Sequence, residues 1–256
     1  MRQSFRRPDH WLYGSWLDTV VKYRKTRLGV LWLLIPTAVY IWGIGGFLAA
    51  MQPGMDKARF FAHVGLGFAV FRLMTTVLND SASIFSTYQS FIYDGNLRLT
   101  DFILRSLARS FYYFAISLPL VLIVTLSSPD FDVSGVPLSI AGIFALLLNL
   151  FFFSVLVAIA GARFPDLSEM MGSITMAAFL VTPIVWYPGA APQGSMTGAL
   201  MRANPFYHLL AAVRAPLLGE SVEAATWFYI PTMTVTGILA SALLYRSAAR
   251  RIPVWL

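Results

Sequence analysis

The chain contains no cysteine, which excludes disulfides and cysteine-ligated zinc or iron–sulfur centres. Charge is scarce as well: 12% of its 256 residues are Asp, Glu, Lys or Arg, against about 25% in soluble domains. No glycine-rich phosphate loop ending in Gly-Lys-Ser or Gly-Lys-Thr occurs, so ATP binding of the usual kind must belong to another chain. Only three histidines are present, His10, His63 and His208, too far apart to form a helical two-histidine pair, and no metal site is expected. The basic head, followed by Asp9, His10 and Asp18, lacks the apolar core and cleavage site of a signal peptide.

Apolar residues make up 57% of the chain, and they recur in runs without a break in composition. We therefore expect one membrane domain over 1–256, an all-α integral membrane fold of six transmembrane helices. A helix needs about 20 apolar residues to cross the hydrocarbon core. The stretches 31–51, 60–78, 137–160 and 227–245 meet that standard, and 111–126 and 171–187 are shorter. Residues 1–30 precede this core as an interfacial amphipathic helix, with Leu12, Trp16, Val20 and Tyr23 at helical spacing and Asp18, Lys22 and Lys25 on other faces. Between 187 and 227, prolines separate apolar pieces too short to cross, which predicts short external re-entrant or surface helices.

An even number of spans puts both ends on one side. The ends and the connections on their side hold 14 of the 19 basic residues, and the opposite connections hold four. Lys and Arg resist translocation, so both termini are expected in the cytoplasm of a multi-pass inner-membrane protein. The net charge of +7 then reflects orientation and not nucleic-acid binding.

The six spans contain no Asp or Glu, and His63 and Arg72 are their only titratable groups of note. Ion-coupled carriers need such groups at mid-depth, so energy must come from outside the spans. Asp130 and Asp132 flank Phe131 in an external turn, where a solvated loop is favoured over a nucleotide-sugar site. Trp32, Tyr40 and Phe47 share one face of the first predicted span, and Phe179 and Trp186 one face of the fifth. Such rings suit a sliding glycan conduit or, equally, anchorage at the membrane interfaces.

Several segments then coincide: Lys22-Tyr23-Arg24-Lys25-Thr26-Arg27-Leu28-Gly29-Val30-Leu31-Trp32, Ala162-Arg163-Phe164-Pro165-Asp166-Leu167, Val181-Thr182-Pro183-Ile184-Val185-Trp186-Tyr187-Pro188, and Asn204-Pro205-Phe206 with Arg214. In this order and at these places the chain resembles the type-2 ABC exporter permeases that move O-antigen, capsule and related lipid-linked polysaccharides. The resemblance implies a homodimer joined to two cytoplasmic ATPase subunits, which would hold the ATP and magnesium, while this chain carries no cofactor and is not itself an enzyme. It implies docking of the ATPase on 86–96, with Tyr88, Phe91 and Tyr93, a gating role for the head helix, and external helices over 204–218 near the exit. One departure is that the docking region reads Tyr93-Asp94-Gly95-Asn96-Leu97-Arg98, where the family commonly has Phe-Pro-Arg.

The substrate expected from this resemblance is a lipid-linked glycan, on undecaprenyl diphosphate or another lipid. Arg24, Lys25 and Arg27 stand at headgroup depth before the first span, and arginine forks suit a diphosphate. The alternative is that these three set orientation and attract anionic lipid. Two other functions remain open: export of a drug or small lipid, favoured by a narrower passage, and a lipid-linked sugar transferase, which would need clustered acids near one membrane face.

Overall fold

A computed structural model describes residues 4, 8–52, 54–95 and 98–256. Arg2, Arg6 and Arg7 of the basic head, the side chain of His10, and Asn96 and Leu97 of the docking stretch lie outside the described residues. The regular structure of the described residues is all helical, with no strand among them.

Helix α1 (Pro8–Tyr23) has Asp9 in its first turn and Lys22 in its last, which complements the helix dipole at both ends. Span α2 (Gly29–Met51) is composite: a 3₁₀ turn over Gly29–Leu33, a short α segment holding Pro36, a π turn over Val39–Ile44 and a final α segment, Gly45–Met51. Span α3 (Lys57–Thr87) is capped by Asp56, whose carboxylate accepts from the backbone of Ala58 at 2.9 Å and of Arg59 at 3.3 Å. A short α4 (Gln89–Tyr93) turns the chain into span α5 (Leu99–Leu126). Span α6 (Val136–Arg163) is followed by α7 (Asp166–Val181), α8 (Met196–Ala203) and α9 (Pro205–Leu217). Span α10 (Ala224–Ala248) and the final turn α11 (Ile252–Trp255) close the chain.

Among the described residues, five helices are long and apolar enough to cross a membrane: α2, α3, α5, α6 with its leading turn, and α10. The expected sixth, 171–187, is shorter than required. Helix α7 has 16 residues, about 24 Å at 1.5 Å per residue, and the hydrocarbon core is about 30 Å thick. It starts earlier than expected, at Asp166, and stops at Val181, before Pro183.

Span α3 lies at the centre and packs against α5, α6, α7 and α9. Its buried face carries Ala62, Leu66, Ala69, Leu73, Met74 and Val77. The outer helices present apolar side chains outward, including Leu122, Ile123, Phe144, Phe228 and Leu239. Such a surface belongs in hydrocarbon, where it costs nothing and the helices satisfy their own backbone groups. Two glycines on α6 set its closest approaches. A Cβ on Gly142 would fall on the Ala212 carbonyl of α9, and one on Gly161 would fall on the Ala82 carbonyl of α3. Small residues of this kind let helix backbones touch, which is the main attraction available in lipid.

The sequence places no acid in the spans, and the longer helices of the structure correct this, since α5 starts at Leu99 and holds Asp101 in its first turn. Span α3 runs past 78 to Thr87 and so includes Asp80, which accepts from Arg109 of α5 at 2.6 Å. His63 is also not isolated, because the connection after α9 folds back and brings Glu220 to 3.8 Å from its Nδ1. Asp80 is part of α3 itself, whereas Glu220 reaches His63 only because the chain folds back.

Candidate functional site

At the end carrying the termini, α1 lies along α5. Leu12 and Trp16 of the apolar stripe are exposed, the Trp16 ring standing edge-on to Tyr112 of α5 at 5.5 Å, while Ser15 and Thr19 are fully buried. Small hydroxyl residues admit close helix contact and bond their own backbone carbonyls, Ser15 to Leu12 and Thr19 to Ser15. The apolar side of α1 therefore faces outward, as an interfacial helix requires. Asp18 fixes the register, accepting from Arg105 Nε and Nη2, each at 2.7 Å. Tyr88 joins the same group, with its hydroxyl 3.5 Å from Asp18, its ring stacked on Phe102 at 4.9 Å and the Arg105 guanidinium 5.5 Å from its centroid.

Arg24, Lys25 and Arg27 follow in the exposed turn between α1 and α2. They make no ion pair among the described residues, and their charges are open to an outside anion. Arg72, inside α3, reaches to this end and donates to the Leu33 carbonyl at 3.2 Å. Of the docking aromatics, Phe91 and Tyr93 are exposed and Tyr88 turns inward. Gln89 ties α4 to the C-terminus by donating to the Leu256 carbonyl at 2.7 Å.

The conduit aromatics separate into two groups. Tyr40 stacks on Phe68 at 3.7 Å and meets Phe179 edge-on at 6.0 Å, so α2, α3 and α7 are joined by rings. Trp32 and Phe47 are exposed on α2 away from this cluster. The 3₁₀ and π turns change the residue-per-turn count on either side of Tyr40, so the shared face that a regular helix would give is lost. Trp186 does not share a helix face with Phe179 either, because α7 ends at Val181 and the chain turns before it. It packs beside Met201 and Tyr207 instead.

At the opposite end Arg214 of α9 is 1% exposed. Its Nη1 donates to the Pro183 carbonyl at 2.6 Å and lies 3.2 Å from His63 Nε2. That nitrogen also stands 3.0 Å from the Trp186 carbonyl. Burial pushes the Arg214 pKa down to about 10, so it keeps its charge at neutral pH. Burial alone would raise Glu220, but the His63 contact and the Arg214 charge outweigh it and hold the carboxyl below its ordinary value. Burial, with Glu223 next, pushes the Tyr207 phenol up to about 12. Glu223 is held by Arg202 through Nη2 at 2.7 Å and Nε at 3.0 Å.

Other polar residues have structural work. Asp130 meets Arg59 at 3.4 Å, and Asp132 caps the turn at Ser134 with a 2.8 Å bond from its backbone. His208 is buried between the Thr226 hydroxyl and the Arg202 carbonyl, each at 2.8 Å. Among the described residues no group of three His, Cys, Asp or Glu is placed to hold a metal ion.

No family model matches the chain. The polysialic acid transport protein KpsM of Escherichia coli is 22% identical to it over 230 residues, which covers 88% of both chains. The chain resembles a type-2 ABC exporter permease. The similarity extends over nearly the whole length, as the permease motifs do.

Two features of the structure are not legible in the sequence. The Asp18–Arg105 pair joins residues 87 positions apart, and no local pattern links them. The sequence places Arg214 in the external stretch, and the structure buries it against His63. A lone arginine in an otherwise apolar 13-residue helix is the signal that was present.

Proposed function

We propose that the chain is the membrane-spanning subunit of an ATP-driven exporter that carries a lipid-linked polysaccharide, of O-antigen or capsule type, out across the cytoplasmic membrane. The similarity to a polysialic acid transport protein over 88% of both chains carries this reading. Two copies pair, since five or six helices enclose no glycan-wide passage alone. Two ATPase subunits bind from the cytoplasm and supply the nucleotide and magnesium chemistry. Both termini are cytoplasmic, α7 completes a sixth crossing together with its bent extension through Trp186, and α8 and α9 lie as short re-entrant helices at the outer face.

Arg24, Lys25 and Arg27 receive the diphosphate of the lipid carrier at the cytoplasmic entrance, with α1 as its gate. Their exposure and lack of an internal carboxylate support this role. Tyr40, Phe179 and Trp186 contribute to the glycan path within one copy, and the exposed Trp32 and Phe47 contribute where copies or lipids meet. Phe91 and Tyr93 hold the ATPase, with Tyr88 fixing their base.

The test is purification of the tagged chain from its native membrane, with the subunits that accompany it identified by mass spectrometry. A partner bearing a Gly-Lys-Ser or Gly-Lys-Thr phosphate loop is expected, and deletion of either gene should leave lipid-linked glycan inside the cell. Normal glycan export in the deletion strain would sink the proposal.

A further inference from the structure

A cavity of about 440 Å³ opens at the end opposite the termini, between the turn after α7, helix α9 and the connection to α10. It lies within the size range of small-molecule sites, about 300–1,000 Å³. Its lining includes Tyr187, Tyr207, Arg214, Glu220, Ser221 and Glu223, a polar set on a protein whose other surfaces are mostly apolar.

Hydrogen-bonding capacity is left over there. Arg214 is buried, yet its Nε has no acceptor. Glu220 comes only to 3.8 Å from His63 Nδ1, beyond hydrogen-bond length, and that nitrogen also lacks a partner. A buried donor without an acceptor is costly, so native proteins seldom leave one unless something else fills it. Tyr187, 36% exposed, adds an accessible ring at the rim.

We propose that this cavity binds one uncharged sugar ring of the emerging glycan. The proposal rests on the export reading and adds to it the place and charge class of the sugar. A tyrosine ring supplies an apolar wall for the C–H face of a pyranose. Glu220, in the cavity wall, accepts from ring hydroxyls. Arg202 already pairs with Glu223, and Arg214 and Glu220 add one charge of each sign to the lining. An uncharged ring leaves that balance intact, whereas an acidic sugar brings a carboxylate beside Glu220, and like charges at such range repel. The similar transport protein is named for an acidic polymer, so the inference sets this chain apart from it.

The cysteine-free chain permits a direct test. Ser221→Cys places a thiol in the cavity wall of the full chain in nanodiscs, and Ser195→Cys gives a control thiol on a separate loop. The rate of labelling by an impermeant maleimide is measured with a neutral hexose tetrasaccharide and with a sialic acid tetramer at matched ionic strength. We expect the neutral sugar to slow labelling at position 221 at least threefold and to leave position 195 unchanged, with no slowing by the acidic one. Tyr187→Ala or Glu220→Gln should abolish the protection, and Tyr187→Phe, which keeps the ring, should retain it. Absence of protection by the neutral sugar, equal protection at both thiols, or protection by the acidic tetramer overturns the proposal. No ATPase enters this assay. Protection without an ATPase partner in the purification would remove the export reading and keep the site, and the converse result would remove the site alone.

Discussion

Asp18 and Arg105 meet through two hydrogen bonds of 2.7 Å, one carboxylate oxygen to each of two guanidinium nitrogens. This pair fastens α1 to α5, beside the buried Ser15 and Thr19 and the ring contacts Trp16–Tyr112 and Tyr23–Tyr113. Both side chains are about one quarter exposed, so the pair lies between a screened surface bridge and a buried one. Asp18→Asn should cost about 1–2 kcal/mol through loss of charge-assisted bonds. It should also free α1 to protease cleavage before the rest of the chain unfolds. The swap Asp18→Arg with Arg105→Asp should recover part of the protection, and equal cleavage of wild type and Asp18→Asn would show that the pair does not hold α1.

Orientation is checked with the same cysteine-free background. Thiols introduced as Ser195→Cys and Ser247→Cys are expected on opposite sides of the membrane, the first outside. An impermeant reagent on intact spheroplasts should label only the first. Labelling of the second alone would reverse the topology.

Energy coupling is tested through the exposed rings of α4. Phe91 and Tyr93 are both more than half exposed, and aromatic side chains in that state on a polar face supply contact energy to a partner. Phe91→Ala with Tyr93→Ala should release the ATPase in co-purification while leaving thermal stability within about 0.5 kcal/mol, as for surface substitutions. Tyr88→Ala should differ by destabilising the chain, because its ring packs on Phe102. Full retention of the ATPase by the double variant would move the docking surface elsewhere.

Diphosphate recognition by Arg24 and Arg27 separates from simple charge by substitution to lysine, which preserves topology and removes the planar fork. The double variant Arg24→Lys with Arg27→Lys should insert normally and lose most substrate stimulation of ATP hydrolysis, several-fold in rate. Unchanged stimulation would leave these residues with an orienting role only.

Close packing of α6 on α9 predicts that Gly142→Val fails to assemble. Its side chain would occupy the position of the Ala212 carbonyl, and overpacking costs about 1–3 kcal/mol, or more where backbone must shift. The measurement is the monodisperse fraction after detergent extraction. Wild-type behaviour would mean that α9 can move away from α6 at little cost.

Five membrane helices were legible in the sequence because lipid imposes a length and a composition on any helix that crosses it, and runs such as 137–160 and 227–245 satisfy both without reference to neighbours. The lack of a phosphate loop and of cysteine is equally a property of sequence alone, as is the basic asymmetry between connections. Tertiary structure decided what depends on distant residues or on local helix irregularity. The 3₁₀ and π turns of α2 move Trp32 and Phe47 away from Tyr40, and a regular period of 3.6 does not anticipate them. The buried face of α1 belongs to Ser15 and Thr19, since contact with a neighbouring helix in lipid rewards small size where a water-facing helix would reward hydrophobicity. The contact of His63 with Arg214, 151 positions away, and the approach of Glu220 to His63 exist only once α9 folds against α3. Composition fixes which solvent each helix meets, and the long-range return of the chain fixes which charges meet one another.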